Sequence, residues 1–355
     1  MRDAWSHRPH VLAAVGGVAL VLTLAACGGG EDSADEATSS SASPSTSAST
    51  VSPSPSSTIP EVISDASPFS GRPGGADQPV LAVKIDNTGA AQPHAGLQAA
   101  DLVYVEEVEW GLTRLIAVFS SEIPDVVGPV RSARVSDIDI LAPFGGIAFA
   151  YSGAQSKLLP SLAQAAFLDA SANASYTGWY NDSARPSPVD HMIRTNDVLG
   201  VFDESALARD IGLEFSAEPP SGGEPVQEIT ATWPSSSVGF RWDPESGDYV
   251  VVIDGSDSRS SEGGPQRAAT VVIQSVEQSD SGYGDKFGGV TPFIETVGSG
   301  SAVVLRDGRM WSVTWERPSL SEGTRFLLPD GSPMPFAVGQ EWIVLLDSDR
   351  EPVVR

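Results

Sequence analysis

The sequence contains few of the side chains on which most catalytic and metal sites depend. It has 355 residues, with one cysteine and four histidines. A single cysteine forms neither an intramolecular disulfide nor a cysteine zinc site. Only His94 and His191 follow the first 27 residues, so a zinc site of three histidines is excluded. The glycine patterns of nucleotide-binding loops are also missing. We therefore expect no metal and no cofactor.

Positive charge is scarce as well. Lysine and arginine together number 21 against 46 aspartates and glutamates, which gives a formal net charge of −25 at pH 7. A chain this acidic is repelled by nucleic-acid phosphates and by anionic lipid headgroups. We expect neither nucleic acid nor an anionic lipid surface to be its main partner.

Residues 1–27 have the pattern of a bacterial lipoprotein signal peptide. A basic start is followed by an apolar run over residues 11–26, which is rather short for a membrane span. The run ends in Leu-Ala-Ala-Cys at Cys27, which resembles a lipobox. The resemblance implies cleavage before Cys27, lipid on its thiol, and a membrane anchor on the extracytoplasmic face of the cell membrane. An ordinary signal peptide with a chance cysteine is the alternative.

The next segment, residues 28–67, is rich in serine, threonine and proline and has few large apolar side chains. Such a segment cannot bury enough apolar surface to offset the entropy lost on folding. We predict that it is a disordered tether between the anchor and the folded part of the chain.

The remaining sequence predicts an α+β protein of two domains. Over residues 68–217 strand-like and helix-like segments alternate, which indicates a mixed α/β layer domain. Residues 218–225 are rich in proline, glycine and serine and form a predicted linker. Over residues 226–355 short strands recur at near-regular spacing, which is typical of an antiparallel β sandwich or barrel.

Within the first domain, several elements are predicted from hydrophobic patterning. A buried strand is expected over residues 80–85. Residues 101–110 and 112–120 are two β-rich runs separated by Gly111, which predicts a hairpin. Helices are predicted for the segments 96–100, 134–142 and 156–167.

A cluster of charged residues lies around this hairpin and the segment that follows it. Glu106 and Glu109 end the first predicted strand, and Arg114 begins the second. If the hairpin forms, Arg114 lies close to one of these glutamates. Arg131 and Arg134 are three residues apart at the entrance to a predicted helix, so both can point to one face.

This cluster has two interpretations that the sequence does not separate. Arginine side chains present planar, forked donors that suit a phosphate or a carboxylate, and a nearby glutamate would orient an arginine or act as a base. Alternatively, the same residues form structural ion pairs in the interior of the domain. His191 follows Asp190 and has a similar ambiguity: a histidine–carboxylate pair suits general base catalysis, but adjacent residues of an extended chain point apart, which favours a surface histidine.

Several segments of the chain resemble the YerB-like family of bacterial lipoproteins, a group of unknown function. The similar residues are 83–87, 93–97, 100–106, 109–114 and 128–134 in the first domain, and 298–300, 308, 314–315, 330–331 and 339–342 in the second. The Gly-Pro-x-Arg-Ser-x-Arg stretch over residues 128–134 is the most specific. This sequence departs from the family pattern at Trp110, where glycine is common, and after His191. The resemblance implies two domains and supplies no reaction.

The residues singled out as candidates for ligand binding are Arg114, Arg131, Arg134, Ser132, Glu106, Glu109, Asn87 and His191. Three functions remain open. The first is binding of an anionic envelope ligand, such as a sugar phosphate, a cell-wall polymer or a carboxylate. The second is a hydrolase or transferase of envelope glycan, with Glu106 or Glu109 as general acid or base. The third is a non-catalytic scaffold for an unidentified protein partner. We favour the first.

Overall fold

Strands account for most of the regular structure. The computed structural model describes residues 65–355. The predicted signal peptide, the predicted lipidation residue Cys27 and nearly all of the predicted tether lie outside these residues.

The strands are numbered in chain order. They are β1 Leu81–Asp86, β2 Leu102–Glu107, β3 Thr113–Phe119, β4 Val126–Val127, β5 Ala148–Ala150, β6 Leu168–Asp169, β7 Trp179–Asn181, β8 His191–Arg194, β9 Glu224–Pro225, β10 Glu228–Trp233, β11 Ser236–Asp243, β12 Asp248–Ile253, β13 Ser256–Asp257, β14 Arg267–Ala268, β15 Thr270–Val276, β16 Gln278–Gly284, β17 Val290–Ile294, β18 Gly298–Arg306, β19 Arg309–Arg317, β20 Arg325–Leu327, β21 Glu341–Asp347 and β22 Val353–Val354.

Helices are few and short in the described part of the chain. They are α1 Ser136–Leu141, α2 Leu159–Leu162 and α3 Thr195–Leu199. The helix predicted over residues 156–167 is therefore only four residues long, with Pro160 in its first turn and no side-chain cap. The helix predicted over residues 96–100 is a single 3-10 turn, Leu97–Ala99. Helical spacing over so few residues does not overcome the cost of starting a helix.

The strands form one large mixed sheet and three smaller sheets. The large sheet has the order β20-β19-β18-β15-β21-β2-β3-β1-β5-β6, with β9 paired to β19. A second sheet has the order β13-β12-β11-β10-β22, with β14 paired to β12. Strands β16 and β17 form a two-stranded sheet, and β4, β8 and β7 form a three-stranded sheet in the order β4-β8-β7. The predicted hairpin of β2 and β3 is confirmed, because the two strands pair antiparallel.

The large sheet contains strands from both sides of the predicted linker. Strand β2 pairs in parallel with β21, which lies more than 230 residues later in the chain. Strand β9 lies inside the predicted linker and pairs with β19. The two halves of the chain thus share one sheet, and the division at residues 218–225 stays a prediction from the sequence.

The prediction that the C-terminal strands are all antiparallel is wrong for one pair of strands. Strands β15 and β21 lie parallel to each other over their whole length. Parallel neighbours need a long connection, and the chain between these two strands, which includes β16 to β20, provides it. The continuous apolar run in β21 is typical of a strand covered on both faces, but it does not identify the strand with which β21 pairs.

Two groups of buried apolar side chains cover the two faces of the large sheet. On one face, Val83, Ile85 and Leu115 pack in a core with Phe240 and Val251 of the second sheet. On the opposite face, the alternate residues of the same strands pack against α1 and the loops around it. The charged residues described below lie on this second face, at the end of β1.

Candidate functional site

The site begins as a row of charged residues across three neighbouring strands. Asp86 of β1 lies opposite Arg114 of β3, and Arg114 lies opposite Glu106 of β2. Side chains at facing positions of paired strands point to the same side of the sheet. Lys84 shares this side, because it lies two residues before Asp86 in the same strand.

The segment over residues 128–134 extends this row along the end of β1, beyond the residues of β1 that pair with β5. The backbone N–H of Arg131 donates to the carbonyl of Lys84 at 2.8 Å. This pairing places Arg131 beside Asp86, with its Nε 2.7 Å from Asp86 Oδ2. The chain then enters α1, and Arg134 at this entrance reaches the same side of the sheet.

Lys84 lies between two acidic side chains in the interior. Its ammonium group forms a short ion pair with Glu106 and a second one with Asp137 Oδ1 at 2.6 Å, and all three side chains are buried. Burial, together with the charge of Asp137, raises the pKa of Glu106 to about 7, although Lys84 acts in the opposite direction. Glu106 Oε2 has no hydrogen-bond partner among the described residues.

Arg114 is the arginine of the cluster whose positive charge is not paired with a carboxylate in the described part of the chain. Its side chain is only 8 % exposed, and its Nη1 donates to the carbonyl of Ser132 at 2.7 Å. Within residues 65–355 it forms no ion pair with a carboxylate. Burial, followed by the charges of Arg134 and Arg131, lowers the pKa of Arg114 to about 9. A positive charge is thus held in an environment that disfavours it.

Glu109 and Arg134 form an ion pair at the edge of the same cluster. Arg134 Nη2 lies 2.6 Å from Glu109 Oε2, and the hydroxyl of Thr291 in β17 donates to the other carboxylate oxygen. Burial is the largest single influence and acts to raise the pKa of Glu109. The hydrogen bonds from Arg134 and Thr291, together with the charges of Arg134 and Arg114, outweigh burial, so the pKa lies below its usual value. Glu109 therefore stays ionised at neutral pH.

The three arginines line one cleft. It has a volume of about 250 Å³, and Asp86, Glu109 and Ser132 also contribute to its wall. A second cavity of about 390 Å³ shares Ser132, Glu109 and Arg134 with the first, so the two adjoin. Guanidinium groups that converge on a cleft can donate to the oxygens of a phosphate or carboxylate.

Three of the predicted site residues do not line this cleft: Glu106, Asn87 and His191. Asn87 is buried behind it, where its amide donates to Thr113 Oγ1 at 2.8 Å. The ring of His191 lies in β8 and forms a hydrogen bond of 3.2 Å with Asn181 Oδ1. Asp190 accepts from the Asn181 amide instead of contacting the histidine ring.

The structure adds residues that sequence reasoning did not propose for the site. They are Lys84, Asp86, Asp137, Thr291 and Asp285. The sequence carries one signal for them: Lys84 is a lysine inside a run of apolar residues predicted to be a buried strand. A lysine in such a position needs a buried acidic partner. Which acid supplies it depends on α1 and cannot be read from the strand.

Two further structural findings concern only residues 65–355. Their His, Cys, Asp and Glu side chains form no group of three or more arranged to hold a metal ion. None of their helices has the length and apolar character required to span a membrane.

Strands from the two sequence regions form one β-rich body, and residues of both regions line the arginine cleft. Residues 69–208 match the family described as "Protein of unknown function (DUF3048) N-terminal domain", and residues 229–343 match the corresponding C-terminal domain. The chain belongs to this YerB-like family, as its sequence motifs indicated.

Two comparisons with YerB of Bacillus subtilis, one of sequence and one of structure, support the same assignment. A stretch of 54 residues is 46 % identical to the "Putative lipoprotein YerB" of strain 168 and covers 15 % of this chain and 16 % of that protein. The crystal structure of the YerB protein from Bacillus subtilis superposes with a TM-score of 0.69 over 82 % of this chain and 99 % of that one, at 20 % identity. At that identity the superposition shows that the two share a fold.

Proposed function

We propose that this protein binds an anionic ligand through Arg114, Arg131 and Arg134. The observation that carries the proposal is the state of Arg114: it is largely buried, it lacks a carboxylate partner among the described residues, and it lines a cleft with two other arginines. Burying an arginine without a matching anion is costly. A ligand that supplies the anion offsets that cost.

The other two arginines support the same function in a different way. Arg131 is paired with Asp86, and Arg134 is paired with Glu109. These pairs hold the guanidinium groups in fixed positions, and an arginine uses only some of its five donors in such a pair. Preorganised donors lose less entropy when a ligand binds.

Catalysis by Glu106 or Glu109 receives less support than binding. Glu109 is held as a carboxylate by Arg134 and Thr291, which does not suit a general acid. Glu106 has a pKa near neutrality, but it is fully buried against Lys84 and does not line the cleft. A general acid or base has to reach the substrate. We therefore retain the binding function.

The protein is proposed to act at the outer side of the cell membrane. The lipobox-like sequence at Cys27 and the description of its relative as a putative lipoprotein support this location. There the ligand is an envelope anion, such as a sugar phosphate, a cell-wall polymer or a carboxylate.

The anchor proposal predicts that Cys27→Ser releases the protein from membranes. Serine has no thiol to accept the lipid, so the variant lacks the proposed anchor. Fractionation of cells that express the two forms is the measurement. We expect the unchanged chain in the membrane fraction and the variant outside it. Equal membrane retention of both forms would contradict lipidation at Cys27.

The binding proposal predicts that Arg131→Ala weakens the binding of inorganic phosphate by about 10- to 100-fold, the range for one charge-assisted hydrogen bond. Isothermal titration calorimetry with phosphate measures this change. Arg241→Ala is the matched control, because Arg241 is also paired with an aspartate, Asp257, but its side chain is exposed and does not line the cleft. We expect phosphate to bind this control as it binds the unchanged protein, and more weakly at higher salt. If no form binds phosphate or envelope fragments, the non-catalytic scaffold becomes the better interpretation.

A further inference from the structure

Two large aromatic side chains are exposed at the entrance of the arginine cleft. Trp110 is 54 % exposed and Phe287 is 74 % exposed, and both line the same cleft as the three arginines. Trp110 precedes β3 in the chain, whereas Phe287 lies at the tip of the hairpin formed by β16 and β17. Exposed aromatic rings beside charged donors are typical of ligand sites, where aromatic surface and a few polar groups act together.

The ring of Trp110 is held firmly although it is exposed. Its indole Nε1 donates to Asp285 Oδ2 at 3.0 Å. A Cβ built on Gly289 would lie 2.5 Å from the same nitrogen, so the ring packs directly against a backbone without a side chain. Trp110 also has a φ of +66°, a region that side chains other than glycine seldom occupy. Backbone strain of this kind is often found at functional sites.

The hairpin tip that holds Trp110 is ordered by the same aspartate. Asp285 Oδ1 accepts hydrogen bonds from the N–H groups of Phe287 at 2.9 Å and Gly289 at 2.8 Å. Thr291, further along the hairpin, donates to Glu109. The hairpin is thereby fastened to the cleft at two places, and Trp110 presents a rigid surface next to the arginines.

The adjoining second cavity gives room beyond the anion position. Its wall is formed by Tyr283 and Asp285 of the hairpin side and by Ala154 and Leu158 of the opposite side. A ligand much larger than a free phosphate can thus extend from the arginines along the hairpin. A small inorganic anion would leave both the aromatic ring and this cavity unused.

We propose that the ligand is a sugar that carries the anionic group, with its ring stacked on Trp110 while the arginines hold the anion. This inference rests on the proposed function. A hexose ring has a face of C–H groups, and covering that face with an indole removes apolar surface from water on both partners. Phe287 adds to the same platform, and the second cavity accepts a further sugar unit.

The test compares phosphate esters with and without a sugar ring by titration calorimetry on the purified protein. The probes are glucose 1-phosphate, N-acetylglucosamine 1-phosphate and glycerol 3-phosphate. We expect at least one sugar phosphate to bind about tenfold more tightly than glycerol 3-phosphate, as burial of one ring face predicts. In Trp110→Gly this preference disappears, while the affinity for glycerol 3-phosphate stays unchanged.

The choice of test variant and two control variants make the result specific to the ring. Glycine accepts a φ of +66° without strain, so Trp110→Gly removes the indole and leaves the backbone favoured. Trp110→Phe is expected to retain much of the preference, because an aromatic face remains. Tyr176→Ala removes a ring that is 80 % exposed outside the cleft and is expected to change nothing.

The possible outcomes separate this inference from the function on which it rests. If all three esters bind equally to the unchanged protein, or if Trp110→Gly keeps the preference, the sugar inference is overturned while anion binding stands. If none of the esters and no inorganic phosphate binds, both are overturned. A preference that depends on Trp110 supports both.

Discussion

Replacing Arg114 with methionine is expected to abolish phosphate binding while the protein stays folded. Methionine fills a similar volume and removes a charge that the cleft disfavours in the absence of ligand. The folded state loses one hydrogen bond, to the carbonyl of Ser132, which contributes about 1 kcal/mol. The affinity should fall by about 100-fold or more, because the central donor of the anion is missing. Calorimetry with phosphate and urea unfolding measure the two quantities.

Arg306→Met is the matched control for this prediction. Arg306 is also buried, but its guanidinium donates to the carbonyls of Ser216, Ala217 and Pro335 and to Asp307. Its loss should lower the free energy of unfolding by about 3–5 kcal/mol, since several buried acceptors lose their partner. Phosphate affinity should not change. If Arg114→Met destabilises the protein as much as Arg306→Met and leaves affinity unchanged, Arg114 is a structural residue.

The second large effect is a loss of stability expected when Lys84 is replaced. Lys84→Met leaves Glu106 and Asp137 buried together without the cation that lies between them. Removing one partner of a buried ion pair costs about 3–5 kcal/mol. Lys157→Met, at an exposed lysine, is the control and should change the unfolding free energy by less than about 0.5 kcal/mol. Equal stability of the two variants would contradict the role assigned to Lys84.

The loss of unfolding free energy in Lys84→Met should increase as the pH rises. The pKa of Glu106 in the folded protein, about 7, lies above its usual value of 4.5, so the folded state keeps a proton that the unfolded state releases. The contribution of Glu106 to the free energy of unfolding is therefore fully present below pH 4.5 and is lost as the pH rises through 7. Without Lys84 the pKa rises further, so the variant should lose more stability at pH 8 than at pH 5. Urea unfolding at the two pH values measures the difference.

The sequence predicts the arginine cluster because its members are close along the chain. The glycine between the two β-rich runs indicates a hairpin, and a hairpin sets Arg114 opposite Glu106. The spacing of Arg131 and Arg134 indicates that both can face one side. These are local relations, which turn and spacing rules describe well.

The remainder of the site depends on contacts between distant segments. Asp137 reaches Lys84 across 53 residues, and Thr291 reaches Glu109 across 182. Trp110 becomes a cleft residue only because the β16–β17 hairpin holds its ring. Other tryptophans of the chain, such as Trp311, Trp315 and Trp342, lie in strands and are buried in the cores. No local pattern distinguishes a stacked ring from a core ring.

The fold likewise has features that local sequence patterns predict and features that depend on contacts between distant segments. Individual strands follow from alternating and apolar runs, whereas the parallel pairs of β21 with β15 and with β2 join segments far apart in the chain. Pairing partners of this kind are chosen by the packing of both faces of the sheet and leave no local signature.

Crystallography with a heavy anion tests anion binding by the arginines most directly. Crystals of the protein soaked in selenate, and measured at the selenium absorption edge, reveal where a tetrahedral dianion binds. We predict an anomalous peak in the cleft, with selenate oxygens about 3 Å from guanidinium nitrogens of Arg114, Arg131 and Arg134. Selenate peaks found only elsewhere, with the three guanidinium groups still bonded solely to Ser132, Asp86, Ala133 and Glu109, would contradict anion binding by this cluster.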